Sequence, residues 1–251
     1  MITGILFDKD GTLFDFERSW SGFAHGLLLD LAEGDEDRAT EMGARIGYDT
    51  QARSFAPDSC LIAGTDADVV AALLPMLADT DAASLTTRIS RAAAQAPMVA
   101  VIALRPLLTE LRAIGLRLGV ATNDSEHAAK AHLAEAGILD CFDSVQGFDS
   151  GHGAKPGPGM CTAFAGHFGL QPRDVLMIGD SLHDMHAGRA AGMLAVGVLS
   201  GMAGPATFVD AADLVLRDIS DLPAQLAPGG ALHAAHAKSK ATQTGSQSVA
   251  I

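Results

Sequence analysis

Cysteine is nearly absent from this chain: Cys60, Cys141 and Cys161 are the only three in 251 residues, and no two form a CxxC pair. An odd number at wide spacing argues against a disulfide framework and a structural zinc site, and fits a reducing, cytoplasmic setting. Basic residues are scarce as well, 17 Lys and Arg against 30 Asp and Glu, for a formal net charge of −13. No basic cluster offsets that balance, so nucleic acid and anionic membrane surfaces are not expected partners. No run approaches the ~18 uncharged apolar residues of a membrane span. The start, MITGILFDKD, has neither the basic segment nor the apolar stretch of a secretory signal. Apolar residues, by contrast, make up 48% of the chain, and charged ones 19%. That is enough for one large α/β domain, or a core with a smaller insert.

ITGILF (2–7) reads as a short buried strand. Behind it, apolar residues fall at helical spacing from Glu17, and further helical segments are expected near 36–47, 66–79 and 81–96. Gly47, Pro57 and Gly64 punctuate them. No strand is expected between 16 and 97, which makes this an all-helical block inserted after the first strand. From Arg105 onward helices and strands alternate. Strands are expected at 116–122, in CFDSVQG, at 174–180, at 194–198 and, on an edge, at 212–216. Such alternation means a doubly wound, Rossmann-like parallel sheet covered on both faces. The expected division is an α/β core of residues 1–15 and 100–227, a helical insert of 16–99, and a tail of 228–251. The tail is small and polar, has little to bury and is expected to be largely disordered.

Parallel α/β sheets bind ligands outside the carboxyl ends of their strands. The chain puts four charged pieces there: Asp8-Lys9-Asp10-Gly11-Thr12, Thr122-Asn123-Asp124, Lys155 within AKPGPG, and Gly179-Asp180-Ser181 followed by Asp184. Carboxylates at such range cannot all be ionised unless a cation shares the site. Oxygen donors with little His or Cys suit Mg²⁺. An ion between Asp8, Asp10 and Asp180 would turn their repulsion into coordination. Alternation along an extended strand aims Asp8 and Asp10 at the site and turns Lys9 away from it. Lys155 is the expected partner of a phosphate.

DKDGTL, ATND, AKPGP and GDSLHD, in this order, resemble the four motifs of the haloacid dehalogenase superfamily in its phosphatase branch. The resemblance spans nearly the whole chain except the tail, and the helical insert resembles that superfamily's C1-type cap. The run from Ile178 to Met193 resembles phosphoglycolate phosphatases. The resemblance implies roles for individual residues. Asp8 would be the nucleophile that takes the phosphoryl group, and Asp10 the acid, then base, for the leaving oxygen and the attacking water. Thr122, Asn123 and Lys155 would bind phosphate. Asp8, Asp10, Asp180 and Asp184 would form the Mg²⁺ corner, with Asp184 reaching it through the metal or through Lys155. The implied activity is hydrolysis of a small phosphorylated metabolite, phosphoglycolate first. Dehalogenases of the superfamily lack the acid at the position of Asp10.

Two other functions share parts of this pattern. A phosphomutase acting on a sugar phosphate would have the same core residues. A receiver-type signalling module also phosphorylates an Asp at a strand end, but resembles a chain of half this length without a cap. One position departs from the resemblance: the lysine motif usually runs on to an acid where this chain has Gly159. The remaining conspicuous residues are expected to be structural. His183 and His186 read as surface histidines, Trp20 and Phe23 as core, and Asp15 as part of a hinge. Arg53 is the residue of the insert to watch for a reach toward the site.

Overall fold

The computed structural model describes residues 1–237. In chain order, β1 (Gly4–Phe7) leads into an insert of α1 (Phe16–Leu31), α2 (Glu36–Arg45), β2 (Tyr48–Asp49), β3 (Ser54–Phe55), α3 (Cys60–Ala63), α4 (Asp66–Leu73) and α5 (Ala82–Ala93). Then come α6 (Leu104–Ala113), β4 (Arg117–Ala121), α7 (Glu126–Glu135), β5 (Ser144–Gln146) and α8 (Gly159–His167). The order closes with β6 (Val175–Gly179), α9 (Leu182–Ala190), β7 (Leu194–Val198), β8 (Leu214–Leu216) and α10 (Leu222–Leu226).

Six strands form one parallel sheet in the order β5-β4-β1-β6-β7-β8. The fold is therefore the expected Rossmann-like α/β sheet, with 212–216 supplying the expected edge. β1 lies inside the sheet, with β4 and β5 built out on one side and β6, β7 and β8 on the other. The reversal opens a crevice above the carboxyl end of β1. Every residue of β1, β6 and β7 is buried, as strands covered on both faces require. Alternation sorts them: Ile5 and Phe7 pack toward Leu104, Leu108 and Leu111 of α6, whereas Leu6 packs toward Phe164 of α8 and Ala187 of α9.

The insert has an apolar cluster of its own, built from residues between Phe16 and Ala96 and including Leu28, Met42, Tyr48, Leu73 and Leu85. Asp15, Asp35 and Asp81 cap its helices by accepting backbone N–H groups, each cap worth about 1 kcal/mol. Asp15 thus starts α1 at the point where the insert leaves the core. The insert is helical apart from the β2–β3 ladder, two residues on each side. Side chains hold that ladder: the Tyr48 hydroxyl donates to Ser21 O at 2.8 Å, and Ser59 Oγ donates to Ile46 O at 2.6 Å.

Two further features differ from expectation. Residues 231–237 are helical, with Leu232 fully buried in the main core and His236 Nε2 2.6 Å from Asp174 Oδ1. The start of the tail therefore has something to bury, and the expected disorder of 238–251 lies outside the described residues. At position 159 a Cβ would collide with the backbone carbonyl of His152. The acid missing from the lysine motif is excluded by that close approach of the preceding loop. No helix among the described residues is long and apolar enough to cross a membrane.

Candidate active site

The chain leaves β1 at Phe7. Asp8 N then donates to Ile178 O at 2.7 Å, which fixes Asp8 beside the end of β6. Asp180 follows β6 directly. Asp184 lies in the first turn of α9, where its Oδ2 accepts from Ser181 N at 3.0 Å and Ser181 Oγ at 2.6 Å. One carboxylate oxygen from each of Asp8, Asp180 and Asp184 lies within 4.8 Å of the others, and all three residues are buried. Gly11 makes the close packing possible: its φ is +75°, and a Cβ there would strike the Asp180 carboxylate.

Lys155 enters this group from the β5–α8 loop. Its Nζ donates to Asp8 Oδ1 at 2.5 Å and to Asp184 Oδ1 at 2.6 Å. Asn123, just past β4, clamps the lysine from behind: its Oδ1 accepts from Lys155 N at 2.8 Å and its Nδ2 donates to Lys155 O at 3.0 Å. Thr122 continues the ladder through Thr122 N to Gln146 O at 3.0 Å. Its hydroxyl oxygen accepts from Asp124 N at 3.1 Å.

The electrostatics of the group follow from three acids sharing one ammonium. Burial, together with Asp184 and Asp10, outweighs Lys155 and pushes the Asp8 carboxyl from 3.8 up to about 7. Burial and the charges of Asp8 and Asp184 push Asp180 well above the usual carboxylate range. Burial alone would lower Lys155; Asp184 and Asp8 outweigh it and hold the ammonium above its ordinary value. The excess negative charge on closely spaced oxygens is what a hard divalent cation fits.

Asp10 departs from the expected grouping. The backbone bends at Lys9 instead of continuing β1, so strand alternation no longer aims residues 8 and 10 together. Asp10 Oδ1 accepts from Trp20 Nε1 and from Lys9 Nζ, each at 2.7 Å. Its carboxylate is thus held between Trp20 of the insert and Lys9, and the clustered acids are Asp8, Asp180 and Asp184. Lys9 itself is fully buried, with Asp124 Oδ2 at 3.4 Å and the Trp20 ring centroid at 5.1 Å. Breaking such a buried pair costs about 3–5 kcal/mol, because the remaining charge stays desolvated. His132 joins α5 to this network: its Nε2 lies 2.8 Å from Ala93 O and its Nδ1 3.8 Å from Asp124 Oδ2. Burial and Lys9 push its imidazole down to about 4.

A pocket lies over these groups, lined on the core side by Asp8, Asp10, Thr122, Asn123, Lys155 and Asp180, and on the insert side by Trp20, Phe23, Leu61, Ile62, Val69 and Ile89. Trp20 and Phe23, expected only as core, line it as well as packing against each other at 5.0 Å. His183 is on the rim beside Ser181, whereas His186 is not part of the lining. Arg53 is exposed and is not among the lining residues; its carbonyl accepts from Ser21 Oγ at 2.7 Å.

A family model for haloacid dehalogenase-like hydrolases matches residues 2–192. The chain belongs to this family. The phosphoglycolate phosphatase of Nitrosospira multiformis is 32% identical over 196 residues, which is 76% of this chain and 80% of that protein. Among solved structures, one from Haemophilus somnus assigned as a phosphoglycolate phosphatase superposes with TM-score 0.67 at 22% identity, over 89% of this chain and 97% of that one. A structure from Thermotoga maritima assigned as a β-phosphoglucomutase reaches 0.63 at 17% identity, over 89% and 98%. These two share the fold. With such relatives, this haloacid dehalogenase-like hydrolase is an enzyme of the phosphoric monoester hydrolase class.

Proposed function

We propose that this hydrolase is a Mg²⁺-dependent phosphatase that cleaves a small phosphomonoester through an aspartyl-phosphate on Asp8. The observation that carries this reading is the Lys155 ammonium bridging Asp8 and Asp184 beside Asp180, at the carboxyl edge of the sheet. Asp8 attacks phosphorus as the bond to the leaving oxygen breaks, and Asp10 gives that oxygen its proton. Asp10 then takes a proton from the water that attacks the phosphorus and frees Asp8. Thr122, the backbone around Asn123 and Lys155 hold the phosphate oxygens, and Lys155 balances charge on the transferring group. Asp8, Asp180 and Asp184 are the residues that would hold Mg²⁺, whose charge would favour the in-line phosphoryl group. The insert covers the pocket as a cap, with the core as 1–15 and 100–227. The three free cysteines fit a cytoplasmic enzyme.

Phosphate release from a panel of phosphomonoesters, with Mg²⁺ and with chelator, tests the reading. Release that needs the metal supports it; none from any ester in folded protein contradicts it and favours the mutase. The relatives' names support phosphoglycolate as substrate, whereas the apolar far wall of the pocket supports a different ester. The mutase alternative rests on likeness of fold alone.

Metal binding should depend on pH. In metal-free protein Asp8 titrates near 7 when folded against 3.8 ordinarily, and Asp180 is shifted the same way. Between those values the folded state binds more protons, so this contribution to stability is full below about 4 and is lost as pH rises through about 7. Mg²⁺ needs the ionised carboxylates. The gain in Tm on adding Mg²⁺ is therefore expected to be larger at pH 8 than at pH 5, measured by calorimetry. An equal or reversed gain contradicts the assignment of the metal corner. The contribution of His132 is common to both arms and cancels.

Trp20→Phe keeps the aromatic packing but removes the donor to Asp10. It is expected to lower kcat about tenfold through a misplaced acid, with little change in KM. A purely packing role would instead lower Tm and leave kcat per folded molecule unchanged.

A further inference from the structure

The pocket divides sharply by chemistry. On the core side Lys155 is, among the described residues, the only Lys or Arg side chain lining it, and on the reading above it is taken up by the phosphate. His183 also lies on this side, beside Ser181. On the insert side the large apolar side chains of the wall are Trp20, Phe23, Leu61, Ile62, Val69 and Ile89, and among the described residues no lysine, arginine or histidine joins them. The one charged side chain there is Asp66, buried and accepting from Ser90 Oγ. At Thr65, the N-cap of α4, which also lines the pocket, the backbone N–H and the hydroxyl are already engaged. Thr65 N and Thr65 Oγ1 both donate to Asp68 Oδ2, at 2.7 and 2.9 Å.

We infer that the leaving group of the substrate is uncharged and presents apolar surface to this wall. The inference rests on the phosphatase reading and names the class of ester. A second anionic group, such as the carboxylate of phosphoglycolate, would be desolvated against six apolar side chains with an acid as its nearest charged neighbour on that side. Among the described residues no ammonium or guanidinium on that side lines the pocket to pair with it, and burying an unpaired carboxylate is strongly unfavourable. An alkyl or aryl group gains from the same wall by leaving water. The insert thus selects by charge as well as by size.

The test compares phosphoglycolate with isobutyl phosphate, in which an isopropyl group of similar size replaces the carboxylate. The alkyl ester has no electron-withdrawing group to help its alkoxide depart, so intrinsic reactivity does not favour the expected result. With Mg²⁺, kcat/KM is expected to be about tenfold or more higher for isobutyl phosphate. Ile62→Arg, at a half-buried wall position, should move that ratio about tenfold toward phosphoglycolate by supplying the missing cation. Equal or faster turnover of phosphoglycolate by the unaltered enzyme overturns the inference, as does an unchanged ratio in folded Ile62→Arg. No turnover of either ester or of p-nitrophenyl phosphate would instead sink the phosphatase reading. The wall is then tested by calorimetric binding of the same two esters: tighter binding of isobutyl phosphate supports it, and equal or tighter binding of phosphoglycolate overturns it.

Discussion

Asp8→Asn is expected to lower phosphate release by about a thousandfold or more without lowering the melting temperature of the metal-free protein. The two halves of this result have one cause. The amide keeps the volume of the carboxyl and leaves an oxygen for the Lys155 ammonium, now 2.5 Å from Asp8 Oδ1. It cannot attack phosphorus. Asp8 is also one of three acids sharing one lysine, and burial already drives it toward the neutral form. Removing its charge relieves repulsion of Asp180 and Asp184, so the folded state does not suffer. A variant that is both inactive and markedly destabilised would show that Asp8 is chiefly structural.

Lys155→Met should lose activity by about a hundredfold to a thousandfold and, in contrast, lose stability as well. Methionine fills the buried channel but leaves Asp8 and Asp184 facing each other without a cation. Removing one member of a buried ion cluster costs about 3–5 kcal/mol, here reduced by protonation of Asp8. Mg²⁺ should return part of the stability, since it neutralises the same oxygens. It should not return the activity, because the ammonium that meets the phosphate is gone. Thermal unfolding with and without Mg²⁺, beside steady-state kinetics, separates these effects. Full activity in the variant would remove Lys155 from the chemistry.

The two variants expose how differently parts of the site are written in the sequence. Asp8, Asp180 and Thr122 are legible because each follows an apolar strand, and strand order in a parallel sheet brings such ends together; Lys155 is legible from its place before Pro-Gly-Pro in the loop after β5. Asp184 is legible as an acid in the first turn of a helix, where it accepts from Ser181 and, as one of its two expected routes to the site, from Lys155. Asn123 is legible as a position, but its grip on the Lys155 backbone depends on how the β5–α8 loop returns. The setting of Asp10 is hidden further. It depends on the bend at Lys9 and on the path of α1, which brings Trp20 back over the edge of the sheet. A tryptophan in an amphipathic helix gives the same periodic signal whether it only packs or also donates a hydrogen bond. Lys9 is turned away from the pocket as expected, but its pairing with Asp10 and Asp124 carries no signal in the alternation, which stops before it.

In the insert, α1, α2, α4 and α5 are legible from their period, whereas α3, β2 and β3 are too short to show one. Leu232 is a single apolar residue among alanines and histidines, and only the packed core reveals its place. Gly159 looks like a lost acid and is instead demanded by the His152 carbonyl.

The central claim is that the phosphoryl group passes through Asp8. The most direct measurement is acid quenching of the enzyme during turnover with Mg²⁺, followed by borohydride reduction and peptide mass spectrometry. An acyl phosphate on Asp8 is reduced to homoserine at position 8, and the account predicts that conversion there, dependent on substrate and lost on chelation. Steady release of phosphate with position 8 still aspartate, or with the reduced residue elsewhere, would contradict it.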